Sequence, residues 1–396
     1  MPRLSSHPLP PEALHCSALR YIYETTPPSQ PKVAPRAQDD ARASRRPAAP
    51  SSRARASAPA VEPAPAPAVE PAPAAAVEPA PAAQPRKVVG GRYELERAID
   101  QGGTAVIYRA RDLATGDARA VKILKDHAAN DPILRACFLS GARAAMGITH
   151  HNVVRVLTVV EPREQTHPFA VMELLSGESL DETLRREHRL SSERVVALAR
   201  DAARGLAAAH ASGIVHSDVK PENLFLESGP HGSGLKILDF DLAWVPGVED
   251  PSERHGRLIL RGTAKYMAPE QILGDPVDAR TDVYALGVVL FRLLTGQLPF
   301  DLELGTTLLR HHVSSPIPPP SWLVDDLDKR LDAVVVRATK KDPANRYPSM
   351  AALLSDLDAV SLDLALASPA APAVVDRYAP RSDRAREAAR ALESAA

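Results

Sequence analysis

The chain has 396 residues, with 48 basic and 49 acidic side chains and a formal net charge of −1. That balance gives the whole chain no electrostatic bias toward nucleic acid or a membrane surface. Two cysteines, Cys16 and Cys137, lie in unlike contexts and form no disulfide framework, a usage that fits a reducing cytoplasm.

Half of the prolines, 19 of 38, precede Gly90. From residue 58 to 85 a Pro/Ala stretch repeats Val-Glu-Pro at Val61, Val69 and Val77. Such a segment favours extended, solvated backbone and buries too little surface to offset chain entropy. Residues 1–88 are therefore read as a disordered tail or spacer. The N-terminus lacks a basic-then-apolar leader. No apolar run approaches the ~20 residues needed to span a bilayer, and residues 284–291 are expected to be core helix.

Beyond residue 90 the pattern changes. Residues 93–99 and 106–112 flank a Gly-containing turn, and 120–124 follow a second turn at Gly116-Asp117, which predicts a run of strands. Residues 131–147 have helical composition, with Cys137 expected as a small buried hydrophobe. Residues 153–160 and 169–173 are again strand-like. From Ser191 helices dominate. Ser191 or Ser192 can cap a helix whose face carries Val195, Leu198, Ala202 and Leu206. A further helix is expected over 282–294, others up to residue 357, and a short one over 382–394.

Four strings in the second half carry chemistry. Residues 214–224 read IVHSDVKPENL, residues 236–243 KILDFDLA, residues 262–271 GTAKYMAPEQ and residues 341–349 KDPANRYPS. In this order and spacing they resemble the signature set of the protein kinases, in particular the bacterial serine/threonine kinases of eukaryotic type. The resemblance covers roughly 260 residues. It implies an α+β, two-lobed fold: a small β-sheet lobe with one main helix over 93–173, a larger helical lobe over 174–360, and an Ala-rich tail over 361–396. Many such kinases carry a transmembrane helix after the catalytic domain, and none is expected here.

The resemblance also implies roles. Asp218 matches the catalytic base, Lys220 the phosphate-contacting lysine, and Asn223 and Asp239 the ligands of Mg²⁺ (or Mn²⁺) bound with ATP. His216 matches a scaffold histidine. Lys122, in ARAVKIL, matches the strand lysine that contacts the α- and β-phosphates. Gly102, Gly103 and Val106 would border the nucleotide from the glycine loop. Glu173 and Leu175 would do so from the hinge, Glu173 through its backbone. Glu270 is expected to pair with Arg346, and Asp282 to tie a central helix to the catalytic loop. Thr263 would sit beside the base, favouring protein substrates with Ser/Thr acceptors. No nucleic acid partner is implied, and the expected location is cytoplasmic.

Four positions depart from the pattern. Gly141 stands where relatives have the helix glutamate that pairs with the strand lysine, and no Asp or Glu occurs from residue 132 to 160. Asp241 replaces the glycine of the D-F-G motif, adding a carboxylate within reach of Lys122 or the metal. Asp100 brings negative charge to the phosphate loop unless it faces solvent. Ser217 replaces the catalytic-loop arginine, which removes the usual partner of an activation-loop phosphate. Residues 242–261 contain one hydroxyl, Ser252. These losses leave open a second reading, a pseudokinase acting as a nucleotide-binding or scaffolding module. A small-molecule kinase is disfavoured by Lys220 and the A-P-E string.

Overall fold

The computed structural model describes residues 87–161, 167–229, 232–245, 262–302, 305–325 and 327–367. Cys16, the Pro/Ala stretch, Ser252 and the helix expected over 382–394 lie outside these residues.

The first lobe is a six-stranded antiparallel sheet in the order β1-β2-β3-β4-β6-β5. Its strands are β1 (Val88–Val89), β2 (Tyr93–Gln101), β3 (Ala105–Asp112), β4 (Ala118–Leu124), β5 (Val156–Val160) and β6 (Phe169–Glu173). Alternation sorts the side chains. Tyr93, Leu95, Ala110, Val121, Phe169 and Val171 form one buried face. Ala105, Leu124 and Ala170 form the other, against helix α2. A short helix α1 (Asp126–Asn130) leads into α2 (Pro132–Met146). Asp131 caps α2, its carboxylate accepting from the amides of Ile133 (2.9 Å) and Leu134 (3.1 Å), with Pro132 in the first turn. Phe138, Leu139 and Ala142 then bury one helix face beneath the sheet.

Boundaries in this lobe differ from those read in the sequence. Val88, assigned to the tail, pairs with Glu94 in β1. Gly90 and Gly91, at φ 57° and 66°, turn the chain back onto β2 there, a conformation that favours glycine. Of residues 153–160 only Val156–Val160 joins the sheet. Val153 instead makes a parallel bridge to Ile237 in the second lobe, and the Val154 amide donates to the Ile237 carbonyl (2.9 Å).

The second lobe holds a three-stranded sheet, β7 (Gly177–Ser179), β8 (Leu224–Gly229) and β9 (Gly232–Ile237), on a helical body. The helices are α3 (Leu180–Glu187), α4 (Ser192–Ala211), α5 (Pro269–Leu273), α6 (Ala279–Thr295), α7 (Thr306–Ser314), α8 (Lys329–Ala338) and α9 (Met350–Ala367). Ser191 caps α4 as expected. Helix α6 is buried on every side, from Val283 and Tyr284 to Leu294, which makes it the axis of the lobe. Gly296 ends it in the left-handed conformation at φ 75°. Helix α9 runs seven residues past 360, so the helical lobe continues into the segment expected as tail. No helix among the described residues is long and apolar enough to cross a membrane.

Candidate active site

The catalytic loop hangs from the axial helix. Asp282, in the first turn of α6, accepts from the backbone amides of His216 (2.8 Å) and Ser217 (2.9 Å) and contacts His210 Nε2 (2.7 Å). Burial opposes its charge, but the hydrogen bonds and nearby His210 hold its carboxyl below the ordinary range. The anchor fixes Ser217 at φ 65°, a left-handed conformation that costs a non-glycine residue about 1–3 kcal/mol. On the other side of the loop, His216 Nε2 meets the Leu238 carbonyl (2.8 Å) and its ring packs on Phe240 at 4.7 Å. His216 is thus a scaffold, as the resemblance implied.

Asp218 stands at the centre of a closed polar set. Its Oδ1 accepts from the amide and hydroxyl of Thr263, each at 2.8 Å. Its Oδ2 accepts from Lys220 Nζ (2.6 Å) and Asn223 Nδ2 (3.2 Å). Lys220 also donates to Thr263 Oγ1 (2.8 Å). Thr263 is delivered by Gly262, at φ 119°, where a Cβ would lie 2.9 Å from the Ser217 carbonyl oxygen. The Leu238 amide donates to the Asn223 carbonyl (2.8 Å), which sets the Asp239–Asp241 loop beside the loop that carries Asp218. Asp239 follows at φ 60°.

Lys122 projects from β4 and is buried. Its ammonium lies 2.8 Å from Asp239 Oδ1 and 2.7 Å from Asp241 Oδ2. Burial works against the ammonium, yet the two carboxylates outweigh it and raise the Lys122 pKa. Burial pushes Asp239 the other way, but Lys122 dominates and lowers it. Asp241 is raised by burial and by the neighbouring Asp239 charge.

Helix α2 supplies no carboxylate here. It supplies Gly141, which is buried against the Phe240–Asp241 backbone. A Cβ there would lie 2.0 Å from the Phe240 carbonyl oxygen and 3.0 Å from Asp241 Cα.

The residues expected to border a nucleotide divide. Gly102 and Gly103 form an open turn between β2 and β3, closed by the Gly102 amide on the Ala105 carbonyl (3.0 Å) and by Lys125 Nζ on the Gly102 carbonyl (2.6 Å). Asp100 is exposed and accepts from the next amide (2.7 Å), so its charge faces solvent. Val106 is a correction. Directly paired residues share a face of a sheet, and Lys122 pairs with Ile107, whereas Val106 pairs with Ile123. Ile107 therefore shares the cleft face with Lys122, and Val106 lies on the opposite face. Counting back from Lys122 across the hairpin would have found it. Glu173 ends β6, where its amide donates to the Arg155 carbonyl (3.0 Å). Its carboxylate binds Lys236 (2.9 Å). Leu175, half-buried, lies between the two sheets.

Remote from the reacting groups, Glu270 and Arg346 form a buried bidentate pair with two contacts of 2.7 Å. The arginine also donates to the carbonyls of Arg280, Lys340 and Lys341, and Thr281 Oγ1 donates to Glu270.

A curled antiparallel sheet, a helical lobe hung on one buried helix, and an Asp-Lys-Asn loop facing a strand lysine define a protein kinase domain. The family model described as protein kinase domain matches residues 93–356. Among curated proteins the chain is similar to the serine/threonine-protein kinase Pkn1 of Myxococcus xanthus, 38% identical over 271 residues, covering 67% of this chain and 38% of Pkn1. It is also similar to PknL of Mycobacterium tuberculosis (34% over 286 residues, 72% of this chain, 70% of PknL). A third is PknB of the same species (35% over 268 residues, 67% of this chain, 42% of PknB). The chain belongs to the protein kinase family, and the curated relatives it matches are bacterial serine/threonine-protein kinases. It spans less than half of Pkn1 and PknB.

Proposed function

We propose that the chain transfers the γ-phosphate of ATP to serine or threonine hydroxyls of proteins, with Mg²⁺ (or Mn²⁺) bound beside the nucleotide. The observation that carries this is the Asp218 set. Its Oδ1 already accepts a hydroxyl, that of Thr263, at 2.8 Å, while Lys220 lies 2.6 Å from its other oxygen. An acceptor hydroxyl held in the same way gives its proton to Asp218 as its oxygen bonds to the γ-phosphorus and the bond to the ADP oxygen breaks. Lys220 then faces the charge on the transferred group, and Lys122 faces the α- and β-phosphates.

Asn223 and Asp239 are the residues that would hold the metal. No group of three or more His, Cys, Asp or Glu among the described residues could hold one unaided. Two oxygen donors that need substrate phosphates to complete the shell suit Mg²⁺, which keeps waters and binds through one or two carboxylates. When bound, it neutralises charge on the β- and γ-phosphates.

The need for ATP as phosphate donor supports a cytoplasmic place of action. Purified protein incubated with labelled ATP and Mg²⁺ or Mn²⁺, beside Asp218→Asn, tests the reading. Labelled phosphoserine or phosphothreonine is expected with the wild type alone. Nucleotide binding without any transfer would make the chain a pseudokinase.

A further inference from the structure

Gly141 and Asp241 were two separate anomalies in the sequence. In the structure they touch. The Phe240–Asp241 backbone lies so close to α2 that a Cβ at 141 would stand 2.0 Å from the Phe240 carbonyl oxygen. That approach is open only to glycine. It brings the Asp241 carboxylate to 2.7 Å from Lys122 Nζ.

We propose that Asp241 is the positioning residue for Lys122, and that Gly141 is the other half of the same replacement. The counter-charge that kinases place on the helix has moved to the metal loop, and the helix has given up its side chain to admit it.

Lys122 has a second partner, Asp239, at 2.8 Å. Asp239, however, is one of the two residues assigned to the metal, so its oxygens have other work once nucleotide and metal are bound. Asp241 is not one of those two residues. It is the partner that keeps the ammonium aimed into the cleft when Asp239 turns to its own task. A misplacement of ~1 Å in such a group costs on the order of a hundredfold in rate.

A further consequence concerns the helix. A glutamate on α2 would make the lysine's setting depend on where the helix stands. Here the setting depends on a loop that Phe240, buried on His216, holds to the catalytic loop. Restoring a glutamate at 141 alone cannot restore the usual pair, because its Cβ has no room.

The inference rests on the kinase reading, and the test separates the two. Affinity for Mg²⁺–ATP is measured by calorimetry, and kcat and KM for a peptide are measured in parallel, for Asp241→Asn, Asp241→Glu and Lys122→Met, singly, and for Lys122→Met combined with Asp241→Asn. Asp241→Asn is expected to weaken nucleotide binding about tenfold and lower kcat more than it raises peptide KM, while Asp241→Glu recovers part of both. In the Lys122→Met background Asp241→Asn is expected to change affinity less than twofold, because the two changes remove one contact. Equal losses in both backgrounds would overturn the proposal, as would Asp241→Asn turning over faster than the wild type. If the wild type binds nucleotide but transfers nothing, the kinase reading fails and the affinity cycle still decides the role of Asp241.

Discussion

The catalytic loop and the lysine site share one cleft but hold their charges differently. Around Asp218 each donor comes from the loop itself or from Thr263, and the loop hangs by two amides on Asp282. Loss of the usual arginine at Ser217 leaves that set intact, because none of these contacts passes through residue 217's side chain. Around Lys122, one ammonium serves two carboxylates, both from one loop on the far side of the cleft. A site whose partner came from a separate element could exchange that element for another. A site built within one loop had nothing to exchange.

The comparison can be broken first at its foundation. Arg346→Met leaves Glu270 buried without its ion pair and should lower unfolding stability by about 3–5 kcal/mol, measured by urea denaturation. A loss under 1 kcal/mol would mean the catalytic loop's support lies elsewhere. Next, Asp218→Asn should lower peptide phosphorylation by about a hundredfold or more, with the melting temperature nearly unchanged. Residual activity above a tenth would show that the loop set does not carry the chemistry.

Gly141→Ala sharpens the other side. Its added methyl meets the Phe240 carbonyl, so a cost of about 1–3 kcal/mol is expected, together with a fall in Mg²⁺–ATP affinity in the direction of Asp241→Asn. Wild-type melting and affinity would show that the helix and loop are not in contact.

A pH experiment probes a third charge outside both sites. Lys341 Nζ lies 2.9 Å from Tyr284 Oη, and burial, aided by the Arg346 charge, lowers its pKa to about 7. The unfolded chain keeps an ordinary lysine near ~10.4. Between about pH 7 and 10 the unfolded state therefore binds more protons, and stability rises with pH. Tyr284, raised by burial, ionises first in the unfolded chain and ends the gain near the top of that window. Lys341→Met should flatten the rise in melting temperature from pH 7 to 9.5. The smallest effect is expected at Ser252. Phosphatase treatment or Ser252→Ala should change the peptide rate less than twofold, and a tenfold fall, about 1.4 kcal/mol of barrier, would reveal a phosphate switch.

Much of this was legible in the sequence because kinase chemistry is concentrated in short contiguous strings. Asp218, Lys220 and Asn223 lie within six residues, and their contacts to one another follow from that. The Glu270–Arg346 pair, 76 residues apart, was readable from two such strings. What the strings did not carry was register and approach. Val106 was placed in the cleft because it follows the glycine turn, and only the pairing of Ile107 with Lys122 decides the face. Gly141 read as a loss. Its meaning is a distance between two backbones, which no residue letter records. The sheet edge at Val88 was hidden for a similar reason, since two residues of strand are too short to show a period.

The anchoring of the catalytic loop on Asp282 also sets a clock. The amide protons of His216 and Ser217 point at the two oxygens of one side chain on α6, not at a sheet or helix ladder. Their exchange with deuterium cannot follow the fraying of any strand or helix turn around them. It requires the loop to lift from α6, so the protection of those two amides reports the lifetime of the docked catalytic loop directly. Substitutions at Glu270 or Arg346, held to the start of the same helix through Thr281, should shorten that lifetime before they unfold the lobe.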